Sequence, residues 1–367
     1  MSMASAAIAL EARGVTVRHL EVGQPSAPAP AAVRAAAARA LQHDQVGYTS
    51  ATGLLSLRRA IARHYADWYG VEIEPAQVIV TAGASAAFTL AFLACFDAGD
   101  RVGVVEPGYP CYRNALMALD VEPVPLTVGP ATRWTVTPEL LDAAGPLTGV
   151  VIASPSNPTG TVLAEPELRA LTTWCTERQV QLVSDEIYHG ITYGRRAGSV
   201  AACSPEAVVV SSFSKYFCMT GWRLGWVVAP PELVVALERF QQNLYICAPT
   251  LSQLAAVAAF DCEPELDGHV ERYATNREVL LTGLSKAGLT DVAAADGAFY
   301  VYADISGFGR HAMDLCRDWL ETAGVAATPG IDFDLARGGD HVRFSYSGHA
   351  DDIADACVRL GSWAERA

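Results

Sequence analysis

Short β-branched runs recur along the first two thirds of the chain. Each ends in a polar or Gly/Pro-rich turn, and helix-competent sequence separates it from the next. Val78-Ile79-Val80 leads through Gly83 into an apolar helical segment at 86–96. Val102-Gly103-Val104-Val105, Gly149-Val150-Val151-Ile152-Ala153, the run at 180–183 and Val208-Val209-Val210 follow, with helical patterns at 138–144, 165–178 and 232–244. Strands that alternate with helices specify an α/β fold built on a mainly parallel sheet. Beyond about residue 264 the pattern becomes helix (269–287), strand (298–304), helix (311–324), strand (342–346) and helix (351–366), the signature of a smaller α+β unit.

Composition narrows what such a fold is for. A chain of 367 residues is long enough for two or three domains, and 51% hydrophobic with 18% charged residues is a packing composition, not a disordered one. The formal net charge of -14 argues against nucleic acid or an anionic membrane surface as partner. Nine cysteines without a C-x-x-C pair read as reduced thiols in the cytoplasm, neither a disulfide framework nor a zinc site. Eight histidines, none paired as H-x-x-x-H, give no metal motif. Residues 1–10 are Ala-rich without a basic region and read as the start of a helix, not a signal peptide. The apolar stretch at 90–98 is broken by Asp97, too soon to cross a bilayer.

The chemistry is concentrated in Ser211-Ser212-Phe213-Ser214-Lys215-Tyr216-Phe217-Cys218-Met219-Thr220-Gly221-Trp222-Arg223-Leu224-Gly225-Trp226. A lysine amine attacks a carbonyl only when neutral, and an ordinary lysine titrates near pKa ~10.4. Small hydroxyls before Lys215 and a guanidinium eight residues after it suit a phosphorylated aldehyde: the amine forms a Schiff base while Ser and Arg hold the phosphate. The preceding apolar run delivers the lysine at the carboxyl end of a buried strand, where open α/β sheets bind ligands.

This run resembles the lysine motif of fold-type-I pyridoxal-phosphate enzymes, specifically the class I/II aminotransferases (the aspartate aminotransferase family). The resemblance implies pyridoxal 5'-phosphate as cofactor and a large, doubly wound cofactor-binding domain at 38–263. Residues 1–37 would join 264–367 in the smaller domain. Other motifs occur in the family's order. Asp185, in Leu182-Val183-Ser184-Asp185-Glu186-Ile187-Tyr188, ends a predicted strand, and a carboxylate there keeps the pyridine nitrogen protonated. Asn157, in Ser154-Pro155-Ser156-Asn157-Pro158-Thr159-Gly160, precedes a proline that favours extended geometry, so its amide points at the ring hydroxyl. Tyr188 resembles the second donor to that hydroxyl. Gly83-Ala84-Ser85 joins strand to helix, so that the N–H groups of Ala84 and Ser85 face the phosphate together with Ser212, Ser214 and Arg223. Tyr112, in Glu106-Pro107-Gly108-Tyr109-Pro110-Cys111-Tyr112, matches the aromatic that stacks on the ring.

The resemblance also implies a homodimer with shared active sites. Tyr48, in Gly47-Tyr48-Thr49-Ser50-Ala51-Thr52-Gly53, matches a tyrosine that reaches the neighbouring subunit's phosphate, and 245–253 resembles a segment at the same boundary. Arg343, in His341-Val342-Arg343-Phe344-Ser345-Tyr346-Ser347, matches the arginine that clamps the substrate carboxylate, and Gly23 lies in the loop that closes over it. Two positions depart from the pattern. Asp334 stands where relatives usually carry glycine, and Ser85 stands where some aspartate-specific relatives carry lysine, which disfavours a dicarboxylic substrate unless Arg13 or Arg18 folds inward. Tyr109, Tyr216 and Phe217 are candidates to line an apolar pocket. The implied activity is ping-pong transamination between an amino acid and a 2-oxo acid, with Lys215 moving the proton. C–S β-elimination or decarboxylation would use the same Lys215, Asp185, Asn157 and Arg223, so the motifs leave these open. A non-catalytic effector-binding module is the alternative outside enzymology.

Overall fold

The computed structural model describes residues 2–366; Met1, the first residue of the helix read at 1–10, and Ala367 lie outside the described residues. Its centre is a seven-stranded sheet. In spatial order the strands are Val78–Thr81, Gly225–Val228, Val208–Ser212, Gln181–Asp185, Gly149–Ala153, Arg101–Glu106 and Glu122–Thr127. The last five run parallel, and Gly225–Val228 runs antiparallel to both of its neighbours.

Alternation along the strands divides two cores. Ile79, Val104, Val151, Val183, Val208 and Val210 pack on one face with Phe88 and Phe92 of the helix Ala84–Cys95. Val78, Val80, Val150, Ile152, Val209 and Trp226 pack on the other. Helices cover both faces, which is why these strands read as unbroken apolar runs and not as alternating ones. The helix Glu165–Arg178 coincides with its sequence pattern because its ends are written locally. Glu165 and Glu167 stand in the first turn, Glu167 accepts from the Ala164 N–H at 2.6 Å, and Arg178 closes the last turn.

Two strands of the large sheet escaped the sequence reading. Glu122–Thr127 carries Pro123 and Pro125, which suit only an edge, and an edge is where it lies. Gly225–Val228 was hidden inside the lysine motif.

The smaller unit has an antiparallel sheet of Thr328–Pro329, His341–Ser345 and Tyr300–Asp304, with the helices Glu263–Lys286 and Ala350–Ala364 packed together. The predicted helix at 311–324 is two pieces: Ala312–Asp318, then a π-helical turn Trp319–Ala323 closed by Gly324 at φ 64°. The amino-terminal segment joins this unit, with Arg18–His19 pairing parallel to Val325–Ala326. Arg18 binds Asp352 and Asp355, both at 2.6 Å. Such partly exposed pairs contribute about 0–1 kcal/mol each, whereas fully burying Leu20 contributes about 1.5–3 kcal/mol. Packing holds the segment, and the ion pairs orient it. Position 37/38 falls inside the helix Ala31–His43, which packs on the helix Thr250–Ala256. Among the described residues, no helix is long and apolar enough to cross a membrane.

Candidate active site

Ala153, Asp185 and Ser212 are the last residues of three parallel strands, and all three face one cleft of about 460 Å³. Of the thirteen site residues read from sequence, the structure brings twelve to this cleft; Tyr48 alone stands apart, 83% exposed.

One end of the cleft is built for an anion. The helix Ala84–Cys95 begins there after Gly83, with no side chain capping its first N–H groups. Ser212 Oγ donates to Ser214 Oγ at 2.9 Å and lies 3.1 Å from the Leu224 carbonyl. Arg223, in left-handed backbone geometry, donates to the Thr220 carbonyl and lays its guanidinium on Gly83. Gly83 has φ +84°, and a Cβ there would sit 2.4 Å from Arg223 Nη2, so glycine is required twice over. A Cβ on Gly225 would lie 3.0 Å from the Ala84 nitrogen, which keeps the lysine motif close against the helix start.

Lys215 projects into the middle of the cleft, and its Nζ donates to the Gly23 carbonyl at 2.7 Å. Burial, then Arg343, pull its pKa from an ordinary 10.5 down to about 8; Asp185 opposes them. At pH 8 about half of such amines are neutral, against roughly one in three hundred for an unperturbed lysine. Asp185, 3% exposed, accepts from the Tyr112 hydroxyl and from the Ile187 N–H at 3.0 Å. Burial pushes its pKa up to about 6 against these hydrogen bonds. Tyr188 is buried with its hydroxyl 2.7 Å from that of Tyr300.

Arg343 is a buried cation, 7% exposed, in the strand His341–Ser345. Its Nη1 donates to Asn157 Oδ1 at 2.9 Å, and its Nη2 to the Glu21 carbonyl at 2.5 Å and to Thr328 Oγ1 at 3.2 Å. All three acceptors are neutral, and its buried Nε has no hydrogen-bond partner. The guanidinium lies 4.3 Å from the centre of the Tyr300 ring. A buried arginine held only by neutral oxygens keeps its charge uncompensated and has the geometry to accept a carboxylate.

Three sequence expectations change. Tyr216 bonds Asp267 at 2.7 Å, and Phe217 packs with Phe213, Trp226 and Phe260, so neither joins Tyr109 at the cleft; the turn after Lys215 sends them into the core beneath. Arg18 is held by Asp352 and Asp355 and does not fold inward. Asp334 makes its own turn: it is buried, accepts from the Ala336 and Arg337 N–H groups and pairs with the Arg337 side chain, which reaches the Glu106 and Val128 carbonyls. Sequence reasoning missed Tyr300, which touches Tyr188 and Arg343 together. Its strand alternation was legible, but nothing local says which neighbour it meets. Among the described residues no cluster is arranged to hold a metal ion.

Comparison with known proteins bears on this cleft. The family model for aminotransferase class I and II matches residues 16–360. A valine–pyruvate aminotransferase of Mycobacterium tuberculosis is 51% identical over 350 residues, covering 94% of this chain and 90% of that protein. A crystal structure of an aminotransferase from Mycobacterium tuberculosis superposes with a TM-score of 0.98 at 49% identity, covering 100% of this chain and 96% of the other. The Thermus thermophilus aspartate aminotransferase with maleate superposes with a TM-score of 0.93 at 31% identity, covering 98% and 95% of the two chains.

Proposed function

Because the chain belongs to the class I and II aminotransferases and is a transaminase, we propose that its cleft takes pyridoxal 5'-phosphate and an amino acid with a small apolar side chain. The family is pyridoxal-phosphate-dependent, and the residues present fit the group. The uncapped helix start, Ser212, Ser214 and Arg223 would hold the phosphate; Ala84, Ser85 and these three side chains line the same end of the cleft. Asp185 would hold the proton of the ring nitrogen. A carboxylate accepts about four hydrogen bonds, so this is compatible with its bonds from Tyr112 and Ile187. Asn157 and Tyr188 would face the ring hydroxyl, with Tyr112 beside the ring. Bound there, the cofactor supplies an electron sink for the electron pair left when an α-proton departs.

The chain's own residues do the rest. Arg343 fixes the substrate carboxylate by a two-pronged grip and so aims the α-hydrogen at Lys215. The Lys215 amine, with its pKa near 8, would take the α-proton and hold it for return, a range suited to both halves of a proton transfer. With the cofactor bound, one water would be consumed as the 2-oxo acid leaves, the amino group would stay in the cleft, and a second 2-oxo acid would carry it away by the reverse course. The observation that carries this reading is Arg343: buried, bonded only to neutral oxygens, in the same cleft as a lysine with a lowered pKa.

Substrate choice follows from which cations are free. Arg18 is paired outside the cleft, Arg13 is not among its lining residues, Arg223 belongs to the phosphate end and Ser85 is uncharged, so among the described residues of this chain no further cation lines the cleft for a second carboxylate. Val22, Tyr109 and Tyr300 offer apolar surface instead. With the 51%-identical valine–pyruvate aminotransferase as relative, valine and pyruvate are the proposed pair. Exposed Tyr48, Leu244 and Ile246 fit a homodimer boundary, and nine unpaired cysteines fit the cytoplasm.

The test is an absorption spectrum of purified protein with a panel of amino acids. Valine should convert a visible band to a near-ultraviolet one, and pyruvate should restore it. Lys215→Ala should lack the visible band; a variant that keeps it refutes the lysine assignment.

A further inference from the structure

The strap from Arg18 to Gln24 holds two cations of the cleft, Arg343 and Lys215, through its backbone. The Glu21 carbonyl accepts from Arg343 and from Thr328, and the Gly23 carbonyl accepts from Lys215. Buried Leu20 and its backbone bonds to Ala326 and Ser345 hold the strap in place, and next to it the Glu21 side chain, 4% exposed, orients the carbonyl that Arg343 meets. One of its oxygens lies 2.7 Å from His19 Nδ1, and the other is buried without a hydrogen-bond partner. The opposite ring nitrogen of His19 lies 3.1 Å from Glu11, at the end of the helix Ser2–Glu11. A histidine donates from both nitrogens only when doubly protonated, so the arrangement is that of a cation between two carboxylates.

We propose that His19 is a positioning residue for transamination: doubly protonated, it pins the Glu21 side chain and hence the strap that holds Arg343 and Lys215. When it gives up its proton, the cleft loses affinity for a carboxylate. The inference rests on Arg343 being the carboxylate clamp. Every element around His19 is accounted for. Its own segment supplies Glu21, and the amino-terminal helix supplies Glu11. The helix Ala350–Ala364 supplies Asp352 and Asp355, both bound by Arg18, and Arg359, which pairs with Asp355 and donates to the Thr16 carbonyl; Val325–Ala326 supplies no titratable group. Burial by itself lowers the His19 pKa, but Glu21 and Glu11 together outweigh it and raise the value above 6.5. The sign follows: the clamp is complete below about 6.5 and is lost as pH rises through the raised value.

Isovalerate, which is valine without its amino group, binds without reacting. Its affinity for the holoenzyme, measured by calorimetry between pH 6 and 9, should weaken by about three- to tenfold across the His19 transition, the size of one ordinary hydrogen bond, since His19 acts on the clamp only through the strap. His19→Gln should bind weakly and follow no such transition. Glu11→Gln removes one carboxylate outside the cleft and should move the midpoint to lower pH, which a merely structural role of His19 would not do. It also carries the test if His19→Gln fails to fold. Both variants keep every other titrating group of the cleft, so the differences between curves report His19. If Arg343→Lys weakens binding but neither variant changes the wild-type pH course, the His19 proposal falls alone. If Arg343→Lys binds isovalerate as tightly as wild type, the clamp reading falls and this inference with it.

Discussion

Arg343 Nη1 donates to Asn157 Oδ1 at 2.9 Å, joining residues 186 positions apart. Asn157 sits in the turn after the strand Gly149–Ala153 of the large sheet, and Arg343 sits in the central strand of the small sheet. The bond ties the two sheets together at the cleft, and in the proposed function it would position substrate and cofactor against each other by one contact.

Arg343→Lys should raise KM for valine by about ten- to a hundredfold with a smaller change in kcat. An ammonium cannot keep the bond to Asn157 and present a two-pronged grip as well, and one or two charge-assisted hydrogen bonds are lost. Steady-state kinetics with valine and pyruvate check this. An equal loss in kcat and kcat/KM would mean that the arginine acts only in the transition state.

Asp185→Asn should stabilise the apoprotein while removing the partner of the ring nitrogen. Burial raises the Asp185 pKa from 3.8 to about 6, so the folded state resists ionising it. The penalty is absent below 3.8, grows between 3.8 and 6, and stays constant above, at about 1–3 kcal/mol. Urea unfolding of both apoproteins at pH 8 and at pH 5.5 should show the larger gain at pH 8. Equal gains at both values would contradict the sign.

Tyr300→Phe keeps the ring beneath Arg343 but strips Tyr188 of its hydroxyl partner, 2.7 Å away in the native protein. Leaving that buried hydroxyl unpaired should cost about 1–3 kcal/mol of stability. Thermal unfolding measures the stability cost. The ultraviolet–visible pH titration of the holoenzyme should also move, because Tyr188 faces the ring hydroxyl in the proposed arrangement.

Tyr48→Phe should weaken cofactor retention without altering dimerisation if its hydroxyl serves the neighbouring subunit. Dialysis followed by phosphate-release assay measures retention, and sedimentation measures assembly. A monomeric wild-type protein that is fully active would remove the shared-site reading.

Much of the fold was legible because its information is local. Val208-Val209-Val210 reads as a strand since both sheet faces are covered, and Glu165–Arg178 reads as a helix since its caps are in its own sequence. Glu122–Thr127 was not legible. Two prolines argue against a strand, and only the position at the sheet edge permits them. At the site, Lys215 and Arg223 were legible within one motif, while Asp185 and Asn157 came from the family resemblance of their own motifs; the fold brings all four to one cleft.

Phe217 and Arg18 mark where that reading ends. Phe217 adjoins the lysine in sequence, yet the turn after Lys215 sends it under the sheet to Phe213, Trp226 and Phe260. Arg18 looks free until a helix more than 300 residues later supplies Asp352 and Asp355. The sequence by itself determined the alternating elements, the lysine, and the chemical kinds of group around it, because periodicity, turns and caps act over a few residues. Only the tertiary structure decided which cation stays unpaired in the cleft, that Tyr300 joins Tyr188 to Arg343, and that His19 stands between Glu11 and Glu21. Those outcomes depend on distances between segments far apart in the chain, and these are set by packing, which no local pattern encodes.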